Sequence, residues 1–118
     1  MVQLVADAAT QHNVPKDFAL ALVEVESSFR PNVISQGNYG LGQIRCGTAR
    51  DLGYRGKCRG LLDPKTNLNY SMEYLRLALD AAGGDKCKAA MLYNQGLYAK
   101  VGKRKSAYCR KVLAEMSD

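Results

Sequence analysis

Apolar residues recur at intervals of three and four along most of the chain, which is the period of an amphipathic helix. The predicted helices cover residues 2–12, 15–30, 41–52, 63–82, 85–94 and 106–116. Residues 32–39 are polar and predict a long loop, and residues 54–62 predict an irregular stretch. Because no segment shows sustained strand alternation, we expect an all-α domain of about six helices with a long loop after the second helix.

Helix boundaries in this pattern carry their own signals. Pro31 ends the second helix, since proline disfavours helical geometry in the residue before it. Gly53 is a typical terminator for the third. Asp63 and Pro64 suit the start of the fourth. The apolar stripe of this fourth helix consists of Leu68, Met72, Leu75 and Leu79.

Length and composition favour one domain, 1–118. The chain has 118 residues, of which 47% are hydrophobic, enough to bury a core. No apolar run approaches the roughly 20 residues of a membrane-spanning helix. The first helical pattern begins at once, so we expect a mature or trimmed chain whose signal peptide has been removed.

The chain is basic, with a formal net charge of +6. Such a surface suits an anionic partner: nucleic acid, membrane headgroups or the bacterial wall. The densest basic stretch runs from Lys100 to Lys111. It lacks the aromatic–basic interleaving of single-strand binders, so a solvated helix face is favoured over a nucleic-acid site.

Four cysteines lie at positions 46, 58, 87 and 109. No CxxC pair is present and the single histidine is distant, so no metal site is expected. An even count without metal spacing favours disulfides and an oxidising compartment, although four reduced thiols remain an alternative. Of the three possible pairings, we favour Cys46–Cys58 and Cys87–Cys109, each worth roughly 3 kcal/mol by loop closure.

Glu26 stands near the end of the apolar second helix. A carboxylate there opposes the helix macrodipole, and a cleft wall would raise its pKa and suit it to general acid catalysis. Most glutamates are nevertheless solvent-facing. From position alone, a solvent-facing carboxylate is the favoured interpretation of Glu26.

Four motifs follow one another along the chain. Glu26–Pro31 reads ESSFRP, Gly40–Ile44 reads GLGQI, Asp63–Pro64 precedes Asn67–Leu68, and Ala89–Gly96 reads AAMLYNQG. In this order and spacing the series resembles the soluble lytic transglycosylase family, relatives of goose-type lysozyme. The resemblance covers roughly residues 4 to 113 and implies a compact lysozyme-like helical domain.

The resemblance implies a catalytic role for Glu26. As a general acid it would protonate the glycosidic oxygen between N-acetylmuramic acid and N-acetylglucosamine. It would then act as the base for the muramyl C6 hydroxyl, which closes an anhydro ring. No cofactor is implied. Other glycosidases normally use two carboxylates, and no second acid falls within the cleft motifs. Asp51, Asp63 and Glu73 each have a structural role as cap or surface charge.

The same resemblance implies further site residues. Ser35, Gln43, Tyr93 and Asn94 would bind substrate, with Gln43 bonding substrate or the catalytic carboxylate and the Tyr93 hydroxyl lying near it. Structural support would come from Ser27, Gly40 and Leu41.

Two positions depart from the family pattern. Gly42 replaces a methionine, which could open the cleft or loosen the following glutamine. Arg45 replaces an apolar residue, and either binds an anionic wall group or is a surface residue.

The implied substrate is the peptidoglycan glycan strand, met in the periplasm or cell envelope. We expect a monomer, with an envelope or secretion machinery as a further partner and no nucleic acid. Two other functions stay open: a hydrolytic muramidase, and a catalytically inactive glycan-binding or secretion-associated module.

Overall fold

The computed structural model describes residues 1–117, which form a helical domain with six α-helices. The all-α prediction is confirmed. The helices are α1 (Val2–Gln11), α2 (Lys16–Ser27), α3 (Cys46–Asp51), α4 (Pro64–Ala81), α5 (Lys86–Gln95) and α6 (Ala107–Ser117). A 3-10 helix, Cys58–Leu62, lies within the stretch predicted as irregular.

Aspartate caps fix where α4 and α5 begin. The Asp63 carboxylate accepts the Thr66 backbone N–H at 3.0 Å, and Asp85 accepts that of Lys88 at 3.0 Å. Each cap satisfies an N–H group that the helix leaves unpaired, and is typically worth about 1 kcal/mol. These two caps set the helices that carry the walls of the site described below.

The main core lies between five of the helices, with α4 packed against α1 and α5, and α2 packed against α1 and α6. The predicted stripe of α4 is buried in it. Its largest fully buried side chains include Phe18, Leu22, Leu41, Leu68, Met72, Leu75 and Val112. Packing of α6 on α2 brings the end of the chain next to the helix that carries Glu26.

The predicted third helix is wrong over its first five residues, since α3 begins at Cys46 rather than at Leu41. Gly40 and Gln43 adopt left-handed backbone, with φ of +66° and +49°. The Gly42 N–H donates to the side chain of Asn67 on α4, and its carbonyl accepts from the Tyr93 hydroxyl on α5. Tertiary hydrogen bonds therefore override the helical pattern here.

A small antiparallel sheet occupies the predicted long loop and the residues just after it. Its strands are β1 (Ile34–Ser35), β2 (Asn38–Tyr39) and β3 (Ile44–Arg45), in spatial order β1-β2-β3. The registers pair Ser35 with Asn38, and Asn38 with Arg45. Two-residue strands are too short to show an alternating pattern.

Both expected disulfides are present, and among residues 1–117 no cysteine is free. The 46–58 disulfide joins the start of α3 to the 3-10 helix, and the 87–109 disulfide joins the first turns of α5 and α6. Within the described part of the chain, none of the helices is both long and apolar enough to cross a membrane.

Candidate active site

A cavity of about 230 Å³ opens between the end of α2, the small sheet and α5. Its lining includes Glu26, Gln43, Arg45, Tyr74, Tyr93 and Asn94. Three predicted motifs, distant in sequence, therefore meet in one cleft. Across residues 1–117, Glu26 is the only acidic side chain in this lining.

Glu26 is half-buried, and its carboxylate accepts a hydrogen bond from the Tyr108 hydroxyl at 2.7 Å. Burial raises the pKa of Glu26 to about 7, while the hydrogen bond from Tyr108 opposes that rise. The protonated and ionised forms are then both populated near neutral pH. A group in that state can donate and accept a proton within one reaction cycle.

The chain turns sharply immediately after Glu26. Ser28 and Phe29 both adopt left-handed backbone, with φ of 53° and 59°. Ser27 is buried, its hydroxyl donates to the Val23 carbonyl at 3.2 Å, and its own carbonyl accepts the Arg30 side chain at 3.0 Å. This turn ends α2 one residue beyond Glu26 and leaves the carboxylate at the cleft.

Tyr93 lies in the cleft wall, but its hydroxyl does not bond Glu26. It donates to the Gly42 carbonyl at 2.7 Å, and its ring packs 5.3 Å from that of Tyr74. Burial raises the pKa of Tyr93 well above its ordinary value, and the nearby charge of Glu26 raises it further. Tyr93 is therefore a neutral donor that holds the loop against α5.

Gln43 also lines the cleft, and its side-chain amide is used by the loop itself. The Nε2 group donates to the carbonyls of Val33 and Gly40, each at 3.0 Å. The expected bond from Gln43 to the Glu26 carboxylate is not made. The side chain instead connects the two ends of the segment that contains β1 and β2.

Gly42 does not open the cleft. A Cβ atom there would lie 2.4 Å from the Ser71 Cβ and 2.9 Å from the Tyr93 hydroxyl oxygen. Real Cβ contacts are never so short, so the space that a side chain would need is already filled. The expectation of a wider cleft or a loose Gln43 is wrong.

One buried amide holds this loop to α4. The Asn67 Nδ2 group donates to the carbonyls of Tyr39 and Leu61, at 2.7 and 2.8 Å. Its Oδ1 atom accepts the Gly42 N–H at 2.9 Å and the Ser71 hydroxyl at 3.3 Å. All the strong hydrogen-bonding positions of the side chain are thus in use.

Of the other predicted site residues, some line the cavity and others lie outside it. Asn94 is exposed on α5 and lines the cleft. Ser35 is exposed on β1, outside the cavity lining. Leu41 is fully buried in the main core. A Cβ at Gly40 would meet Asn67 Nδ2 at 2.6 Å, so only glycine fits there.

Tyr108 is the site residue that sequence reasoning missed. It lies on α6, 82 positions after Glu26, and outside the four sequence motifs. Its neighbour Cys109 belongs to the 87–109 disulfide, which ties this turn of α6 to α5. A cysteine beside a tyrosine was the only local signal.

Comparisons with known proteins identify the family of this chain. The family model described as the transglycosylase SLT domain matches residues 3–113. The "Soluble lytic murein transglycosylase" of Escherichia coli K12 is 34% identical over 91 residues, covering 70% of this chain and 14% of that protein. That of Salmonella typhimurium LT2 is 34% identical over 92 residues, 71% of this chain and 14% of that protein.

Solved structures show the same fold. A 70-kDa soluble lytic transglycosylase in complex with bulgecin A superposes with a TM-score of 0.73 at 26% identity, covering 98% of this chain and 18% of that one. An inactive mutant of the lytic transglycosylase Slt from Pseudomonas aeruginosa gives 0.81 at 20% identity, covering 97% and 23%, and bears on the fold alone. The chain spans about a seventh of the length of the curated relatives, 14% of each, and the family model matches the chain over nearly its whole length. This chain, with its lysozyme-like helical fold, belongs to the transglycosylase SLT domain family.

Proposed function

We propose that this chain is a lytic transglycosylase that cleaves the bond between N-acetylmuramic acid and N-acetylglucosamine in peptidoglycan, with Glu26 as the single catalytic residue. The observation that carries the proposal is a half-buried carboxyl group with a pKa of about 7 in a cleft whose lining, over residues 1–117, has no second acid. The names of the curated relatives, soluble lytic murein transglycosylases, support the substrate class.

In the first step, protonated Glu26 gives its proton to the glycosidic oxygen as the bond from that oxygen to the muramyl C1 breaks. In the second, the Glu26 carboxylate takes the proton of the muramyl C6 hydroxyl, and that oxygen bonds to C1. The proton count on Glu26 is restored and no water is consumed. A pKa near neutrality suits Glu26 to both roles, as acid and then as base.

Three residues around Glu26 and the cleft support this cycle without exchanging protons. Tyr108 holds one carboxylate oxygen of Glu26, which leaves the second free to face the substrate. Tyr93 and Gln43 fix the loop opposite. Positive charge developing at C1 is stabilised by the substrate's N-acetyl group and by dipoles fixed in the cleft.

Analysis of the digestion products tests the proposal. Wild-type protein incubated with purified peptidoglycan should release fragments with anhydro-muramyl ends, detected by mass spectrometry. Glu26→Gln should lower the rate by about 10²–10⁴-fold, the usual contribution of a general acid–base group. Glu24→Gln is the matched control, because Glu24 lies on the same helix outside the cleft lining.

Two other results would replace the proposal. Fragments with reducing muramyl ends would identify a hydrolytic muramidase that uses the same glutamate with water as nucleophile. Binding to peptidoglycan without any products from wild type would identify a catalytically inactive glycan-binding module.

The proposed place of action is the periplasm or cell envelope. Peptidoglycan is there, and the two disulfides form and persist in an oxidising compartment.

A further inference from the structure

Only one charged residue besides Glu26 lines the cleft in the described part of the chain, and it is Arg45. It lies at the end of β3, where its backbone pairs with Asn38 of β2. Arg45 is exposed, whereas its neighbour Ile44 is buried. The sheet thus fixes the backbone of a cationic residue that lines the cleft.

The Arg45 guanidinium has no protein partner within residues 1–117. No acidic side chain lies within 4.0 Å of it, and its side chain makes no hydrogen bond to the protein. Its Nη1 atom lies 3.7 Å from where a Cβ of Gly37 would be, so the side chain extends along the β1–β2 turn. Its hydrogen-bond donors are therefore available to a ligand.

A guanidinium presents a planar array of donors that matches a carboxylate in a bidentate arrangement. Peptidoglycan carries carboxylates on the peptide stems attached to muramic acid. If Glu26 acts at the muramyl C1, the stem of that same sugar leaves from the cleft that Arg45 lines. Surface lysines elsewhere attract an anionic polymer, but they do not line this cavity.

We propose that Arg45 binds a carboxylate of the peptide stem on the muramic acid held at Glu26, and so makes the cleft selective for strands that carry charged stems. This inference rests on the proposed function, which supplies the substrate. It also accounts for a cation at a position where the family resemblance implies an apolar residue.

Binding in a Glu26→Gln background tests this, because binding is then measured without turnover. Co-sedimentation with insoluble peptidoglycan compares native material with material whose carboxylates have been converted to amides. Adding Arg45→Ala should weaken binding to native peptidoglycan by about three- to tenfold, equivalent to about 0.7–1.4 kcal/mol. It should not change binding to the amidated form.

Two further variants sharpen the comparison. Arg45→Lys keeps the charge and loses the planar array of donors, so its affinity should fall between those of the Glu26→Gln parent and of the same protein with Arg45→Ala. Arg55→Ala removes an exposed arginine outside the cleft lining and should leave both affinities unchanged. The loss caused by Arg45→Ala should also shrink at high salt, which screens exposed charges.

Three results would overturn the inference. Equal losses on both forms would mean that Arg45 contacts sugar, and no loss on either would mean that it contacts only solvent. An equal loss with Arg55→Ala would mean non-specific attraction. Wild-type digestion products are measured separately, so a failure of the proposed function is distinguishable from a failure here.

Discussion

Glu26→Gln should make the protein more stable above neutral pH while it removes activity. The carboxyl group of Glu26 is half-buried at the C-terminal end of α2, where both desolvation and the helix macrodipole disfavour its charged form. Glutamine has nearly the same shape and carries no charge at any pH. In the wild type, ionisation of Glu26 lowers the free energy of unfolding, and the substitution removes this destabilisation.

The magnitude follows from the pKa of Glu26, which rises from 4.5 to about 7 on folding. Each pH unit between the two values corresponds to about 1.4 kcal/mol. Because the folded pKa is the higher one, the favourable contribution of Glu26 is complete below about pH 4.5 and is lost as pH rises through about 7. The full loss is about 3 kcal/mol.

Urea unfolding of wild type and Glu26→Gln, with the disulfides intact, measures this at intervals from pH 4 to pH 9. The advantage in unfolding free energy of Glu26→Gln over wild type should grow by about 3 kcal/mol across that range. Glu24→Gln, on the same helix, separates this effect from the loss of any acidic side chain. The reasoning is refuted if the difference stays flat with pH, or if Glu24→Gln shows an equal rise.

Three other substitutions test separate parts of the site. Tyr108→Phe removes the hydrogen bond that lowers the pKa of Glu26, so the alkaline limb of the kcat/KM profile should move up by about one pH unit; an unmoved limb would contradict the assigned contact. Gly42→Met should lower the unfolding free energy by about 1–3 kcal/mol because its Cβ has no room, whereas Gly47→Ala, with nothing within 4 Å, should not be destabilising; comparable urea midpoints would count against the clash. Replacing both cysteines of the 87–109 disulfide by serine should cost about 3 kcal/mol and lower activity per folded molecule, because α6 carries Tyr108; full activity of the folded fraction would show that α6 is held by packing alone.

The helices were predictable where local chemistry determines them. Asp63 and Asp85 cap α4 and α5, and Pro31 follows the turn that ends α2. The failure at Leu41–Arg45 has a specific cause. The Gly42 N–H donates to Asn67 and the Gly42 carbonyl accepts from Tyr93, and these bonds hold the segment in a non-helical conformation. Because both partners are distant in sequence, the local apolar pattern does not predict them.

The candidate site was predictable to the extent that its residues lie in motifs. Glu26, Gln43, Tyr93 and Asn94 do line one cleft. Their hydrogen-bond partners were not predictable, because those depend on side chains brought together only by packing. Tyr108 is the clearest case: its role depends on α6 docking against α2, which no spacing within α6 encodes.

The four hydrogen bonds of Asn67 also set how the cleft loop can move. The loop contains little regular secondary structure. The Gly42 peptide is nevertheless hydrogen-bonded at both groups, its N–H to Asn67 on α4 and its carbonyl to Tyr93 on α5. Freeing this peptide requires both hydrogen bonds to break, so the Gly42 amide hydrogen should exchange slowly with solvent. This wall of the cleft is therefore ordered before substrate binds. Substrate binding then carries no entropic cost for ordering it.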